Sequence, residues 1–196
     1  ITGTDVSKEA ADMILTDDNF STIVSAVKEG RGIYDNIRKC VKYLLSSNIG
    51  EVLTIFIASL LGVIGFLTGE DATPLAAMHL LWINLITDSL PAFGIGMEEA
   101  EDSVMDQKPR PKNEGFFANG YIWKICVEGV IIGGVTLIAY LLGNKVFNNH
   151  MVGQTMAFLT LSSTQLFHAY NVKSHHSVFS PKSYKNKFMN FAFIVG

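Results

Sequence analysis

The sequence predicts an all-α transmembrane helical bundle, with four complete spans and the start of a fifth, preceded by a helical stalk and the tail of an α/β domain. Three observations carry that prediction. Of 196 residues, 48% are hydrophobic and only 17% charged, against about 25% charged in ordinary soluble domains; mean hydropathy is +0.29. Glu51 is the only charged residue between Lys42 and Glu70, and Asp88 the only one between Asp71 and Glu98. Each of these stretches exceeds the roughly 20 residues a helix needs to cross a bilayer. The Lys and Arg residues gather in short polar segments between apolar runs and formal net charge is -3, which argues against nucleic acid as a partner.

Residues 1–20 read as the end of a cytosolic domain, with 12–15 and the flanking 1–11 as its last strand and helix. The chain opens without an initiator Met or a basic leader and closes inside an apolar run, so it is expected to be an interior piece of a larger protein. Asp17, Asp18, Asn19 and Ser21 offer N-cap chemistry. Ile23, Val24, Val27, Ile33, Ile37 and Val41 then recur at roughly helical spacing, predicting a stalk over 21–42 that continues into the membrane despite Gly30 and Gly32.

The membrane domain, 43–196, divides into spans of about 43–67, 76–97, 121–142 and 151–171, with a fifth opening at 188. Lys124 and Glu128, spaced i,i+4 in the third span, can pair or reach the interface. Orientation follows from the basic residues, which favour short cytoplasmic loops. Lys28, Arg31, Arg38, Lys39 and Lys42 precede span one; Lys108, Arg110 and Lys112 follow span two; Lys173, Lys182, Lys185 and Lys187 follow span four. The alternate loops, 66–75 and 143–150, hold Glu70, Asp71 and a single Lys145. Odd spans therefore leave the cytosol and even spans return. Trp82 and Trp123 suit packing or interface anchoring. Cys40 and Cys126 form no CxxC pair, so neither a disulfide framework nor a thiolate zinc site is expected.

An ionisable residue inside a span is a functional hypothesis by default, because leaving it unpaired in lipid is costly. Glu51 follows Asn48 by three positions, on one helical face and about 4.5 Å further along the axis. Asn84, Thr87 and Asp88 share a face of span two. Span four adds Thr160, Ser163, Thr164, Gln165 and His168. Converging carboxylate, carboxamide and hydroxyl oxygens suit a hard cation such as calcium, which takes about 6 to 8 oxygen ligands; without cysteine the set disfavours soft metals. Pro91 cannot donate to the Thr87 carbonyl and would help break the span beside Asp88, exposing carbonyls as midplane ion sites do. The competing reading is that Ser46, Ser47, Asn48 and Thr87 bond neighbouring helices as packing glue. His168 and Thr160 are expected to be satisfied by neighbours.

These residues resemble the C-terminal half of a type II P-type cation ATPase, most closely the calcium pumps, and a bacterial one. The resemblance lies in GTDVSKEAADMILTDDNFSTIVSAVKEGR at 3–31, YLLSSNIGEV at 43–52, LLWINLITDSLPA at 80–92 and MDQKPRPKNE at 105–114. It implies that 1–20 end the phosphorylation domain and that the spans are the family's fifth to eighth, with the start of its ninth. Asn48 and Glu51 match the fifth-helix calcium ligands, and Asn84, Thr87 and Asp88 those of the sixth, with Asp88 shared between two ion sites. The loop 98–117 resembles the one that couples these helices to the phosphorylation domain. Gln165 stands where two-site pumps carry Glu, so one site is expected to hold a carboxylate fewer, with lower calcium affinity or no ion. Thr68, Gly69, Glu70 and Asp71 resemble a dephosphorylation motif, but the charge rule puts them outside the cytosol, as a surface turn.

The implied function is the ion-binding membrane half of an ATP-driven exporter of Ca²⁺, with ATP and Mg²⁺ bound elsewhere in the actuator, nucleotide and phosphorylation domains. No DKTG or GDGxxND motif is present, so the piece alone is expected to be inactive. The implied location is the cell membrane, with the lipid bilayer and a cation as partners. The alternatives are a pump for Na⁺ or Mn²⁺, or a non-catalytic membrane interaction module.

Overall fold

The computed structural model describes residues 3–15, 19–67, 69–111, 114–118, 120–174 and 185–196. Asp17, Asp18, Thr68, Lys112 and Lys182 lie outside the described residues, as do the side chains of Glu70 and Asp71. The described elements are all helical. They are α1 (Asp5–Glu9), α2 (Phe20–Val63), a 3₁₀ turn (Gly69–Ala72), α3 (Ala77–Trp82), a π-helical segment (Ile83–Asp88), α4 (Ser89–Gly96), a second 3₁₀ turn (Asp102–Met105), α5 (Tyr121–Val146), α6 (His150–Lys173) and α7 (Lys187–Val195). The chain divides into two compact units, 1–35 with 99–110, and 36–98 with 111–196.

In the first unit, Thr4 caps α1 by accepting from the Ser7 amide at 3.3 Å. Residues 12–15, expected as a strand, are irregular, and Met13 and Ile14 are more than half exposed. No strand occurs among the described residues, so this segment does not join a sheet. Asn19 caps α2, its Oδ1 accepting from the Ser21 amide at 3.0 Å. Arg31 donates from Nη1 to the carbonyls of Val104 at 3.1 Å and Gln107 at 3.0 Å. Arg110 lies over the Tyr34 ring at 4.0 Å.

Helix α2 runs without a break for 44 residues, so stalk and first span are one element and Gly30 and Gly32 do not interrupt it. Helices α2 and α5 are each long and apolar enough to cross a bilayer. The second expected span is a continuous but locally widened helix, α3 to α4, and the fourth is α6, 24 residues long. The bundle shows large apolar side chains outward, among them Phe56, Phe93, Val135 and Phe167, as an integral membrane protein does. Trp82 and Trp123 are exposed too, so interior packing, one of the two roles expected of them, is not what they do.

Glycine lets the backbones meet. A Cβ on Gly133 would lie 2.8 Å from the Gly50 carbonyl oxygen, and one on Gly129 only 2.9 Å from that of Ser46. The two are four residues apart on α5, the small-residue spacing that brings membrane helices into contact, here against α2. Thr54 donates from its hydroxyl to the Gly50 carbonyl at 2.8 Å, with the Gly133 carbonyl at 3.3 Å. Glu128 does not pair with Lys124, which is exposed; it meets Lys42 of α2 at 2.6 Å. Of the two expectations for these residues, mutual pairing is not the one met, and the cause is geometric. Glu128 lies next to Gly129 on the face turned toward α2, whereas Lys124 stands at the exposed start of α5.

Two apolar clusters form the interior of the second unit. One gathers Ala58, Ile83, Ile132, Tyr140, Ala157 and Leu161; the other Tyr43, Ile95, Ala169, Tyr170, Val172 and Met189. Three elements, α2, α3 to α4, and α6, contribute to both.

Candidate cation site

The polar residues of interest sit between these two clusters along each of the three shared elements. On α2, Glu51 lies between Tyr43 and Ala58; on the widened helix, Thr87 and Asp88 lie between Ile83 and Ile95; on α6, Gln165 lies between Leu161 and Ala169. Apolar layers above and below strip away water, so each charge or dipole there interacts more strongly than at a surface.

Glu51 is 4% exposed and Asp88 2%. Glu51 is held by two amides. Gln165 donates from Nε2 to Oε1 at 2.9 Å, and Asn84 from Nδ2 to Oε2 at 3.2 Å, while the same Asn84 nitrogen donates to the Leu80 carbonyl at 2.9 Å. One carboxylate thus joins three elements. Neither buried carboxylate makes an ion pair with a basic side chain among the described contacts. Asp88 Oδ2, Thr87 Oγ1 and Gln165 Oε1 are buried oxygens with no hydrogen-bond partner among the described residues. Oxygen atoms buried without donors are unusual in a folded protein, and they suit a cation, which needs acceptors only.

Pro91 does not unwind the span. The helix widens instead into the π segment Ile83–Asp88, just upstream of the proline, and Ser89 donates from its hydroxyl to the Asn84 carbonyl, five residues back, at 2.9 Å. An extra residue in the turn re-aims Thr87 and Asp88 inward while keeping the backbone helical, a device common at functional sites. The Thr87 carbonyl that Pro91 leaves without its N–H partner is met from α2, where the fully buried Tyr43 donates its phenolic hydrogen at 2.9 Å. Asp88 Oδ1 is 3.4 Å from the same hydroxyl.

Of the expected ligands, Glu51, Asn84, Thr87, Asp88 and Gln165 come together in this layer. Asn48 does not join them. It is exposed on α2, and its Nδ2 donates to the Leu44 carbonyl at 2.7 Å. The i,i+3 spacing placed it near Glu51 in sequence, but the buried stripe of α2 runs through Tyr43, Ser47, Glu51 and Thr54, one position off. His168 is satisfied by a neighbour as expected: its Nε2 lies 2.7 Å from Ser46 Oγ. The Thr160 carbonyl accepts from the Thr164 hydroxyl at 2.6 Å. Among the described residues no group of three or more His, Cys, Asp or Glu gathers, so any cation held here takes amide, hydroxyl and carbonyl oxygens beside its two carboxylates.

Tyr43 and the π segment are absent from the expected site, although a signal for the first exists. A proline four residues after Thr87 leaves a carbonyl needing a donor, and Tyr43 sits two helical turns before Glu51 on the same face.

Residues 72–196 match the family model described as "Cation transporting ATPase, C-terminus". Relatives at comparable identity are calcium-transporting ATPases. The chain is 44% identical to calcium-transporting ATPase 1 of Bacillus cereus, over 100% of the chain and 23% of the relative. It is 45% identical to the calcium-transporting ATPase of Bacillus subtilis, over 96% and 20%. It is 43% identical to the endoplasmic reticulum-type calcium-transporting ATPase 3 of Arabidopsis thaliana, over 71% and 13%. The chain therefore spans about a fifth of the length of the bacterial relatives it matches. By the family model and by these relatives alike, the chain belongs to the cation-transporting ATPases and carries their C-terminal membrane region.

Proposed function

We propose that the chain is the cation-binding membrane part of a P-type calcium pump that exports Ca²⁺ from the cytosol across the cell membrane. The observation that carries this reading is the layer of buried oxygens around Glu51 and Asp88, with Asp88 Oδ2, Thr87 Oγ1 and Gln165 Oε1 unpartnered. Calcium is the substrate. Glu51 and Asp88 supply its charge compensation, and Asn84, Thr87 and Gln165 neutral oxygens, Gln165 by turning its amide so that Oε1 faces the ion. Asn48 joins the set only if its side chain leaves the Leu44 carbonyl and swings inward. With Gln165 neutral the site holds two carboxylates, which favours a single tightly held ion per cycle.

Export requires that the site open alternately to the two sides, driven by phosphorylation of an aspartate in the remainder of the protein, where ATP and Mg²⁺ bind and the metal aids phosphoryl transfer. Continuous α2 and the widened α3 to α4 are the elements through which such a change reaches Glu51 and Asp88. The test is Asp88→Asn in the intact pump. Calcium-dependent formation of the phosphoenzyme is expected to be lost while phosphorylation from inorganic phosphate persists; normal calcium-dependent phosphoenzyme in this variant contradicts the assignment.

A further inference from the structure

Glu98 lies just past the end of α4, away from the oxygen layer, and four helices meet on it. From α2, Asn36 donates its Nδ2 to the Glu98 carbonyl at 2.6 Å, with the Gly96 carbonyl at 3.4 Å. From the start of α7, Asn186 donates its Nδ2 to Glu98 Oε2 at 2.8 Å and to the Gly94 carbonyl at 2.8 Å, while its own Oδ1 caps α7 by accepting from the Met189 amide at 3.0 Å. From the end of α6, Lys173 Nζ stands 3.9 Å from Glu98 Oε2. Lys173 is fully enclosed and Asn36 is 7% exposed. A fully enclosed ammonium is stable only beside a compensating charge, and Glu98 is the carboxylate facing it.

The arrangement continues toward the site. Asn36, Cys40 and Tyr43 lie at i, i+4 and i+7, one stripe of α2. Each donates to a backbone carbonyl at or beyond the widened helix: Glu98 and Gly96 for Asn36, Ala92 at 3.1 Å for Cys40, and Thr87 at 2.9 Å for Tyr43. The Thr87 carbonyl is the one Pro91 leaves in need of a donor, and those of Gly96 and Glu98 lie at and past the end of α4, whereas the Ala92 carbonyl lies within the helix and gains an additional donor. The stripe therefore fixes the register of two antiparallel helices, one carrying Glu51 and the other Asp88. At the closed end of the stripe, α4 is also pinned to α7, where a Cβ on Gly94 would lie 3.2 Å from the Met189 Cα.

We infer that Glu98, clasped by Asn36, Lys173 and Asn186, is a positioning residue that sets the register of the two carboxylate-bearing helices and through it the affinity of the cation site. Glu98 touches no proposed ligand; it acts through the α4 backbone, the Ala92 and Thr87 carbonyls and the stripe on α2. The inference rests on the reading of Glu51 and Asp88 as cation ligands, and two readouts separate the two ideas.

The variants are Asn36→Leu, which removes both donated bonds without stranding a charge, and Glu98→Gln, which keeps the shape and an acceptor for Asn186. In the intact pump reconstituted in lipid nanodiscs, hydrogen exchange at the amides of residues 92–98 is expected to be at least tenfold faster in Asn36→Leu than in the parent. In the intact pump, the calcium concentration for half-maximal phosphoenzyme is expected to rise at least threefold in both variants, with the maximal level changed less than twofold. Glu98→Asp is expected to recover part of the affinity. Unchanged exchange overturns the clasp. Faster exchange with unchanged calcium dependence overturns its positioning role, and so does a fall in maximal level with no change in half-saturation. A parent pump indifferent to calcium overturns the calcium reading, and hydrogen exchange in that same pump still decides whether the clasp exists.

Discussion

Gln165 donates its side-chain amide to Glu51 Oε1 across 2.9 Å, so a neutral residue of α6 holds a carboxylate of α2 in place. The bond fixes which way the amide lies: its nitrogen faces Glu51, and its oxygen is buried and has no donor among the described residues. An amide in this position satisfies Glu51 in the absence of a cation while still offering one ligand atom. A glutamate here would instead place two carboxyl groups within hydrogen-bonding distance, where like charges oppose each other unless a cation or a proton lies between them.

Gln165→Glu is therefore expected to make the site more dependent on its cation. In the intact pump, the half-saturating calcium concentration should fall several-fold, or the number of calcium ions bound per phosphoenzyme should rise. A calcium titration and a binding stoichiometry that both stay unchanged would remove Gln165 from the ligand set.

Tyr43→Phe removes the phenolic hydroxyl that donates to the Thr87 carbonyl, already deprived of its α-helical partner by Pro91. Orphaning a buried acceptor costs about 1–3 kcal/mol, so the variant should unfold at lower temperature than the parent in the same lipid and bind calcium more weakly. Thermal unfolding followed by tryptophan fluorescence, with and without calcium, measures both. Equal stability in the two proteins would mean that the contact at 2.9 Å contributes nothing.

Two neighbouring glycines give a paired test of helix contact. The Cβ that Gly133→Val introduces would fall 2.8 Å from the Gly50 carbonyl oxygen, whereas Gly134 has nothing within 4 Å of the corresponding point. Forcing side-chain atoms into a filled contact costs about 1–3 kcal/mol. Gly133→Val should therefore lower thermal stability clearly and Gly134→Val should not. If both variants behave alike, the close approach of α2 and α5 is wrong.

Burial pushes the Lys173 amine below the usual lysine range, with Glu98 pulling the other way. The folded chain thus holds this proton less tightly than the unfolded chain does. In the window between the two values the unfolded state binds more protons, so stability rises with pH there, and below the folded value the full cost of the buried charge is present. Thermal stability measured upward from neutral pH toward about 10.4, the ordinary lysine value, should climb faster in the parent than in Lys173→Met. Parallel curves would show that Lys173 titrates in the fold as it does in water.

Much of this architecture is legible in the residues alone. The runs around Glu51 and Asp88, each free of any other charge, fall on α2 and on the α3 to α4 helix. The stalk is continuous with the first span because Ile23, Val27, Ile37 and Val41 keep helical spacing across Gly30 and Gly32. What sequence spacing does not resolve is rotation about a helix axis. Asn48 and Glu51 share a face by count, yet packing of Gly50 on Gly133 turns α2 so that Glu51 is enclosed and Asn48 is not. The π segment is hidden for a related reason: a single extra residue per turn is set by the interior contacts of Thr87 and Asp88, not by local preference. Glu128 pairs with Lys42 through tertiary proximity that no count along α5 could reveal.

The most direct test of the calcium reading is ATP hydrolysis by the intact pump in sealed vesicles across a titration of free calcium, with Na⁺ and Mn²⁺ titrated in parallel. The account predicts stimulation by micromolar calcium that is lost in Asp88→Asn and in Glu51→Gln. Stimulation by Na⁺ or Mn²⁺ alone, with calcium inert, would contradict it.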